Sequence, residues 1–139
     1  MNDDRPEVLL VEDNPADVEL VEEALAEAAL DCVLLVVRDG LQAIKLVERL
    51  NADASQRCPD VVLLDLNLPN VTGEAVLSHL RSSARWRAAK VLIISSSNAA
   101  ADRERTMKLG ASDYFHKPSN LEQFMKLGPR VRALLALPT

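Results

Sequence analysis

A chain of 139 residues that is 48% hydrophobic and carries a net charge of −5 has the apolar content for one compact core and is too short for two ordinary domains. Its pI near 5.0, with Lys and Arg scattered rather than gathered into a stripe, lacks the electrostatic footprint of a nucleic-acid binder. Cys32 and Cys58 are too few and too far apart for a metal quartet or a disulfide framework, nothing resembles a secretory leader, and the longest apolar runs, such as Val33 to Val37, fall far below the roughly 20 residues that span a bilayer. The expectation is a cytoplasmic protein with no nucleic-acid or membrane partner.

Val8 to Val11 reads as a first buried strand, and apolar residues at three- and four-residue spacing predict a helix over Ala16 to Ala29. The pair repeats with a strand at Val33 to Val37 and a helix at Leu41 to Leu50, after which the polar stretch Asn51 to Pro59 is expected to be an extended surface loop. A third strand at Val61 to Leu64 precedes a helix over Gly73 to Arg81, and a fourth at Val91 to Ile94 precedes one over Ala100 to Leu109. Tyr114 to His116 gives a weaker fifth strand. The last helix is expected from about Leu121 to Leu135 with a kink at Gly128-Pro129, because proline removes an interior backbone donor. Continuous apolar strands alternating with helices imply a parallel sheet covered on both faces, a doubly wound α/β fold, in a single domain over residues 1–139 with its core at about 7–136.

In such sheets ligands sit beyond the carboxyl ends of the strands. The first strand ends in Glu12-Asp13, the third in Asp65 and the fourth in Ser95-Ser96-Ser97, and the fifth leads into Lys117-Pro118. If the strand order is the flavodoxin-like 2-1-3-4-5, the first and third strands are neighbours about 4.8 Å apart, and Glu12, Asp13 and Asp65 converge. Carboxylates packed that closely repel, and their natural counter-charge is a hard divalent cation such as Mg²⁺, since every candidate ligand is an oxygen. With Lys117 opposite and the Ser95 hydroxyl at hand, the set has the parts for forming an aspartyl phosphate: a carboxylate nucleophile, a metal and an ammonium for the phosphate oxygens.

These residues, in this order and at strand ends, resemble the receiver domains of two-component response regulators over nearly the whole chain. The resemblance rests on Val11-Glu12-Asp13-Asn14, Leu64-Asp65-Leu66-Asn67-Leu68-Pro69 with Gly73, Ser95, Tyr114 and Lys117-Pro118. It implies that Asp65 is the phosphoacceptor, Asp13 a direct Mg²⁺ ligand and Glu12 a ligand acting mainly through metal-bound water, with Asn67 offering its backbone carbonyl. Ser95, which directly follows the apolar run, would be the switch hydroxyl, with its neighbours Ser96 and Ser97 as alternatives, Tyr114 the aromatic that swings inward, Lys117 the partner of the phosphoryl oxygens and Pro118 the shaper of the adjoining turn. The output surface would be the fourth helix, fifth strand and fifth helix, through which receivers often dimerise. Ser95 stands where threonine is frequent, and Ser119-Asn120 follows Pro118 in place of a large apolar residue. With Asn14-Pro15-Ala16-Asp17 and the long loop before the third strand, these traits look like stand-alone receivers paired with bacterial phytochrome-type histidine kinases. A sensor kinase and a downstream protein are the implied partners, and no output domain is expected after the last helix.

Other readings compete. Glu12-Asp13 could be a helix cap, Asp65 a satisfied buried carboxylate, Lys117 and Ser95 loop residues, and Tyr114 core filler. A degenerate receiver serving only as a protein-binding module is one rival. An aspartate-nucleophile phosphohydrolase resembling the haloacid dehalogenases is another, although Asn67 stands where that family carries a second aspartate. His79, His116, Cys32 and Cys58 are expected to be ordinary packing or surface residues, and Trp86, between Arg85 and Arg87, is either a surface contact or a cover for the rim of the sheet.

Overall fold

The computed structural model describes residues 4–136, so the first three and last three residues of the expected domain lie outside the described residues. Five strands, β1 (Glu7–Val11), β2 (Val33–Val37), β3 (Val61–Asp65), β4 (Lys90–Ser95) and β5 (Asp113–His116), form one parallel sheet in the order β2-β1-β3-β4-β5. The helices are α1 (Pro15–Glu27), α2 (Gly40–Ala52), α3 (Gly73–Ser82), α4 (Ala100–Lys108), α5 (Leu121–Phe124) and α6 (Leu127–Leu134). This is the expected flavodoxin-like arrangement.

Strand alternation splits the core in two. Leu9, Val11, Val62, Leu64, Val91 and Ile93 pack against α2 and α3, whereas Val8, Leu10, Val61, Leu63, Leu92 and Ile94 pack against α1, α5 and α6. The central strand β3 is buried throughout, Asp65 included. Trp86 is fully buried in the first of these clusters, so it is not a surface contact. Its indole Nε1 has no hydrogen-bond partner.

Local chemistry sets the helix ends. The Asn14 side chain caps α1 by accepting from the Ala16 N–H at 2.9 Å, with Pro15 in the first turn. The cap is thus Asn14, not the acidic pair before it. Helix α2 runs two residues past its expected end, so Asn51 and Ala52 belong to it, and the rest of the stretch is the expected surface loop. Asp53 accepts from Ser55 and Gln56, and the Arg85 guanidinium donates to the carbonyls of Leu50, Asp53 and Gln56, holding the loop against the end of α2.

The last helix breaks at Met125-Lys126, one turn before Gly128-Pro129. A proline disturbs the carbonyl four residues back, which here is Met125. The Gly128 N–H takes that carbonyl in a tighter turn at 3.2 Å, and Pro129 falls in the first turn of α6, where no interior donor is lost. Glycine at 128 also lets α6 approach α1, since a Cβ there would lie 2.5 Å from the Ala24 carbonyl oxygen.

Gly73 has the same role beside the site. A Cβ on it would lie 2.5 Å from the Asp65 carbonyl oxygen and 2.7 Å from the Leu66 Cα, both backbone atoms of the segment leaving β3. Gly73→Ala should cost roughly 1–3 kcal/mol through this overpacking, read as a lower urea midpoint followed by the fluorescence of Trp86. An unchanged midpoint would contradict the close approach.

Candidate functional site

Strands β1 and β3 are neighbours with Val11 opposite Leu64, so Glu12 and Asp13, leaving β1, meet Asp65, the last residue of β3. One carboxylate oxygen from each lies within 4.8 Å of the other two. Glu12 and Asp65 are buried, at 1% and 4% exposure, while Asp13 faces solvent. Lys117, following β5, closes the site. Its Nζ donates to Glu12 Oε1 at 2.8 Å, to Asp17 Oδ2 at 2.8 Å and to Asp65 Oδ2 at 3.4 Å. Backbone donors fix the other oxygens: the Asn14 N–H reaches Glu12 Oε2 at 3.3 Å and the Asn67 N–H reaches Asp65 Oδ1 at 3.1 Å.

Burial is the largest influence on Glu12. It pushes the carboxyl up to about 7 from 4.5, with the Lys117 hydrogen bond opposing and the neighbouring Asp65 adding to the rise. Burial also works against the Lys117 charge, but the hydrogen bonds of Asp17 and Glu12 and the charge of Asp65 outweigh it and hold the ammonium above the ordinary lysine range. One ammonium therefore faces four carboxylates, two of them buried, and the site is short of positive charge. An all-oxygen donor set with a charge deficit fits a hard divalent cation. Among the described residues this is the only cluster of that kind, and it includes neither His79, His116 nor the free Cys32 and Cys58.

The sign of the pH effect follows from Glu12. Between pH 4.5 and about 7 the folded chain holds a proton that the unfolded chain has released, so metal-free stability falls as pH rises through that window. The loss reaches up to roughly 3 kcal/mol, from about 1.4 kcal/mol per pK unit. A cation that favours the ionised form offsets this loss, so Mg²⁺ should raise the melting temperature by more at pH 8 than at pH 5.5. Equal increments at the two pH values would contradict the assignment.

Ser95 ends β4 fully buried, its Oγ accepting from the Ser97 N–H at 3.0 Å, whereas Ser96 is exposed. The Lys117 N–H bonds to the Ser95 carbonyl at 2.7 Å, which ties the two strand ends together. Tyr114 is turned inward, 2% exposed, and its hydroxyl donates to the Ser97 carbonyl at 2.9 Å. Asn67 lies at the rim, exposed, and Pro118 follows Lys117 half-buried. Sequence reasoning gave Asp17 no role. The available signal was an acidic residue in the first turn of the helix that leaves the Glu12-Asp13 strand end, close enough to reach back to Lys117.

A model of the response regulator receiver domain matches residues 8–127. Response regulator Rcp1 of Synechocystis sp. is 32% identical over 120 residues, covering 86% of this chain and 82% of Rcp1. The manganese-bound crystal structure of Rcp1 superposes with a TM-score of 0.82 at 29% identity, over 96% of this chain and 99% of that one. The phosphorylated cyanobacterial phytochrome response regulator RcpA gives a TM-score of 0.85 at 32% identity, over 97% of each chain. The receiver domain of the sensor histidine kinase PA1611 from Pseudomonas aeruginosa, solved with a magnesium ion in its active-site cleft, gives 0.70 at 28% identity, over 91% of this chain and 96% of that one. No helix among the described residues is long and apolar enough to cross a membrane. Fold, strand-end acidic cluster and family match agree, and the chain belongs to the response regulator receiver family, whose members are phosphoacceptors of two-component signalling rather than conventional enzymes.

Proposed function

We propose that residues 8–127 form a complete phosphoacceptor unit in which Asp65 takes a phosphoryl group from a sensor histidine kinase with Mg²⁺ as cofactor. The observation that carries this reading is the meeting of Glu12, Asp13 and Asp65 around one point, with Lys117 hydrogen-bonded to two of the three. Glu12, Asp13, Asp65 and the Asn67 carbonyl would hold the ion. When bound, Mg²⁺ supplies the positive charge that lets an anionic carboxylate meet an anionic phosphoryl group.

An Asp65 carboxylate oxygen attacks phosphorus, the bond to the donor imidazole breaks, and the electron pair leaves with that nitrogen, which takes up a proton. Lys117 then has new oxygens to bind, and its ion pairs with Glu12 and Asp17 are the ones that loosen. The Ser95 hydroxyl, beside the site and bonded only within its own strand end, is the donor that turns toward the phosphoryl oxygens. Likeness to RcpA and Rcp1 supports a phytochrome-type kinase as donor. The signal leaves through the surface of α4, β5, α5 and α6, where Met107 and Leu121 are exposed at 43% and 55%, to a downstream protein or to a second copy of the chain.

The test is phosphate uptake from acetyl phosphate. About one base-labile phosphate per chain with Mg²⁺, and none with EDTA, is the expected result. Uptake indifferent to EDTA, or none in a folded sample, overturns the reading.

A further inference from the structure

Helix α4 is weakly anchored. Of its nine residues only Thr106 is buried, and its N-cap, Ala99, has no side chain that can accept a hydrogen bond. Polar contacts supply what packing does not. The Ser97 hydroxyl donates to Asp102 in the first turn of α4 and accepts from the Ala99 N–H at 3.2 Å, so it caps the helix from two residues upstream of the cap position. Asp102 in turn accepts from Arg105 at 2.7 Å. Arg105 reaches across to Glu74 on α3 at 3.0 Å, next to the Gly73 that packs on the Asp65 backbone.

Each end of this chain of contacts starts at the phosphoacceptor site. At one end, Ser97 also gives its N–H to Ser95 Oγ and its carbonyl to the Tyr114 hydroxyl, so a single residue holds the switch hydroxyl, the inward aromatic and the start of α4. At the other end, Glu74 belongs to the helix turn seated on Asp65. The Arg103 guanidinium lies 5.1 Å from the centre of the Tyr114 ring, a further link between α4 and that aromatic.

We propose that Ser97 and Glu74 form a two-point polar clamp on α4, and that Ser97 is the positioning residue through which a displacement of the Ser95 hydroxyl reaches the helix. When Ser95 Oγ turns to a phosphoryl oxygen it stops accepting from the Ser97 N–H. The segment that carries the Asp102 cap and the Tyr114 acceptor is then free to move, and α4 moves with it. The transmission step rests on the reading of Asp65 as phosphoacceptor; the clamp itself does not.

The test is hydrogen–deuterium exchange of residues 99–108 in the full chain, without and with Mg²⁺ and beryllofluoride, for wild type, Ser97→Ala, Ser97→Thr and Arg105→Gln. In the unliganded state, α4 amides should exchange roughly threefold to thirtyfold faster in Ser97→Ala, the range for losing a helix cap. Arg105→Gln should show a smaller rise, and Ser97→Thr, which keeps the hydroxyl, should restore protection. At beryllofluoride saturation, established from its bound ¹⁹F resonance, wild-type α4 should change its protection and Ser97→Ala should not. Wild-type protection in unliganded Ser97→Ala would overturn the clamp, and a full beryllofluoride response in that variant would overturn transmission through Ser97. A wild type that binds no beryllofluoride would instead overturn the phosphoacceptor reading together with transmission, and the unliganded comparison would still decide the clamp.

Discussion

Asp65→Asn should abolish phosphate uptake while leaving the chain folded and at least as stable as wild type. The amide keeps the shape of the carboxylate, and its oxygen can still accept the Asn67 N–H that now reaches Asp65 Oδ1 at 3.1 Å. It has no anionic oxygen with which to attack phosphorus. The same change removes a negative charge that raises Glu12, so at pH 8 the substitution relieves repulsion by on the order of 1 kcal/mol. Lys117 retains Glu12 and Asp17 as partners. Uptake lost with a steady or higher melting temperature separates chemistry from folding. Uptake that persists in this variant would place the phosphate elsewhere.

Lys117→Met should act on stability and chemistry together. Among the described residues the ammonium is the only cation bonded to Glu12, Asp17 and Asp65, at side-chain exposures of 14% for Lys117 and 2% and 5% for Glu12 and Asp65. Removing one partner of a buried ionic group leaves the rest uncompensated, at a cost of roughly 3–5 kcal/mol, with the half-buried Asp17 accounting for less of it than Glu12 and Asp65. The loss should be greatest above pH 7, where the carboxylates are ionised. It should shrink as pH falls and Glu12 takes up its proton, which in this variant happens above the wild-type value of about 7 because Lys117 no longer lowers it, and protonation relieves the repulsion that the lysine had offset. Mg²⁺ at pH 8 should recover part of it. Urea titrations at pH 8 and pH 5.5 provide the check, and a pH-independent loss would mean that the lysine acts through packing alone.

The fold was legible because the first four strands carry continuous apolar runs and each helix shows three- and four-residue spacing; two-faced burial of the inner strands leaves that signature in sequence, whereas β5 (Asp113–His116) shows it weakly. Boundaries drifted where polar atoms decide them. Asp65 and Ser95 extend their strands one residue past the apolar runs, since ladder pairing continues through a residue whose polar side chain finds partners in the site. The end of α2 was placed two residues early because Arg85, more than 25 residues further on, supplies the hydrogen-bond donors. The break before α6 was displaced because a proline acts on the carbonyl four residues earlier. In the site, Glu12, Asp13, Asp65 and Lys117 could be found from strand-end position alone. Asp17 could not, and Ser97, although visible at a strand end, gave no sign of its contacts with α4, since the importance of both lies in which atoms they reach.

The most direct test of the central claim is chemical location of the phosphate. Treating the acetyl phosphate-loaded chain with borohydride reduces an acyl phosphate to the alcohol, turning the modified aspartate into homoserine that peptide mass spectrometry can place. Homoserine at position 65, dependent on Mg²⁺, is the predicted result; homoserine at Asp13 or another carboxylate, with Asp65 unmodified, would contradict it.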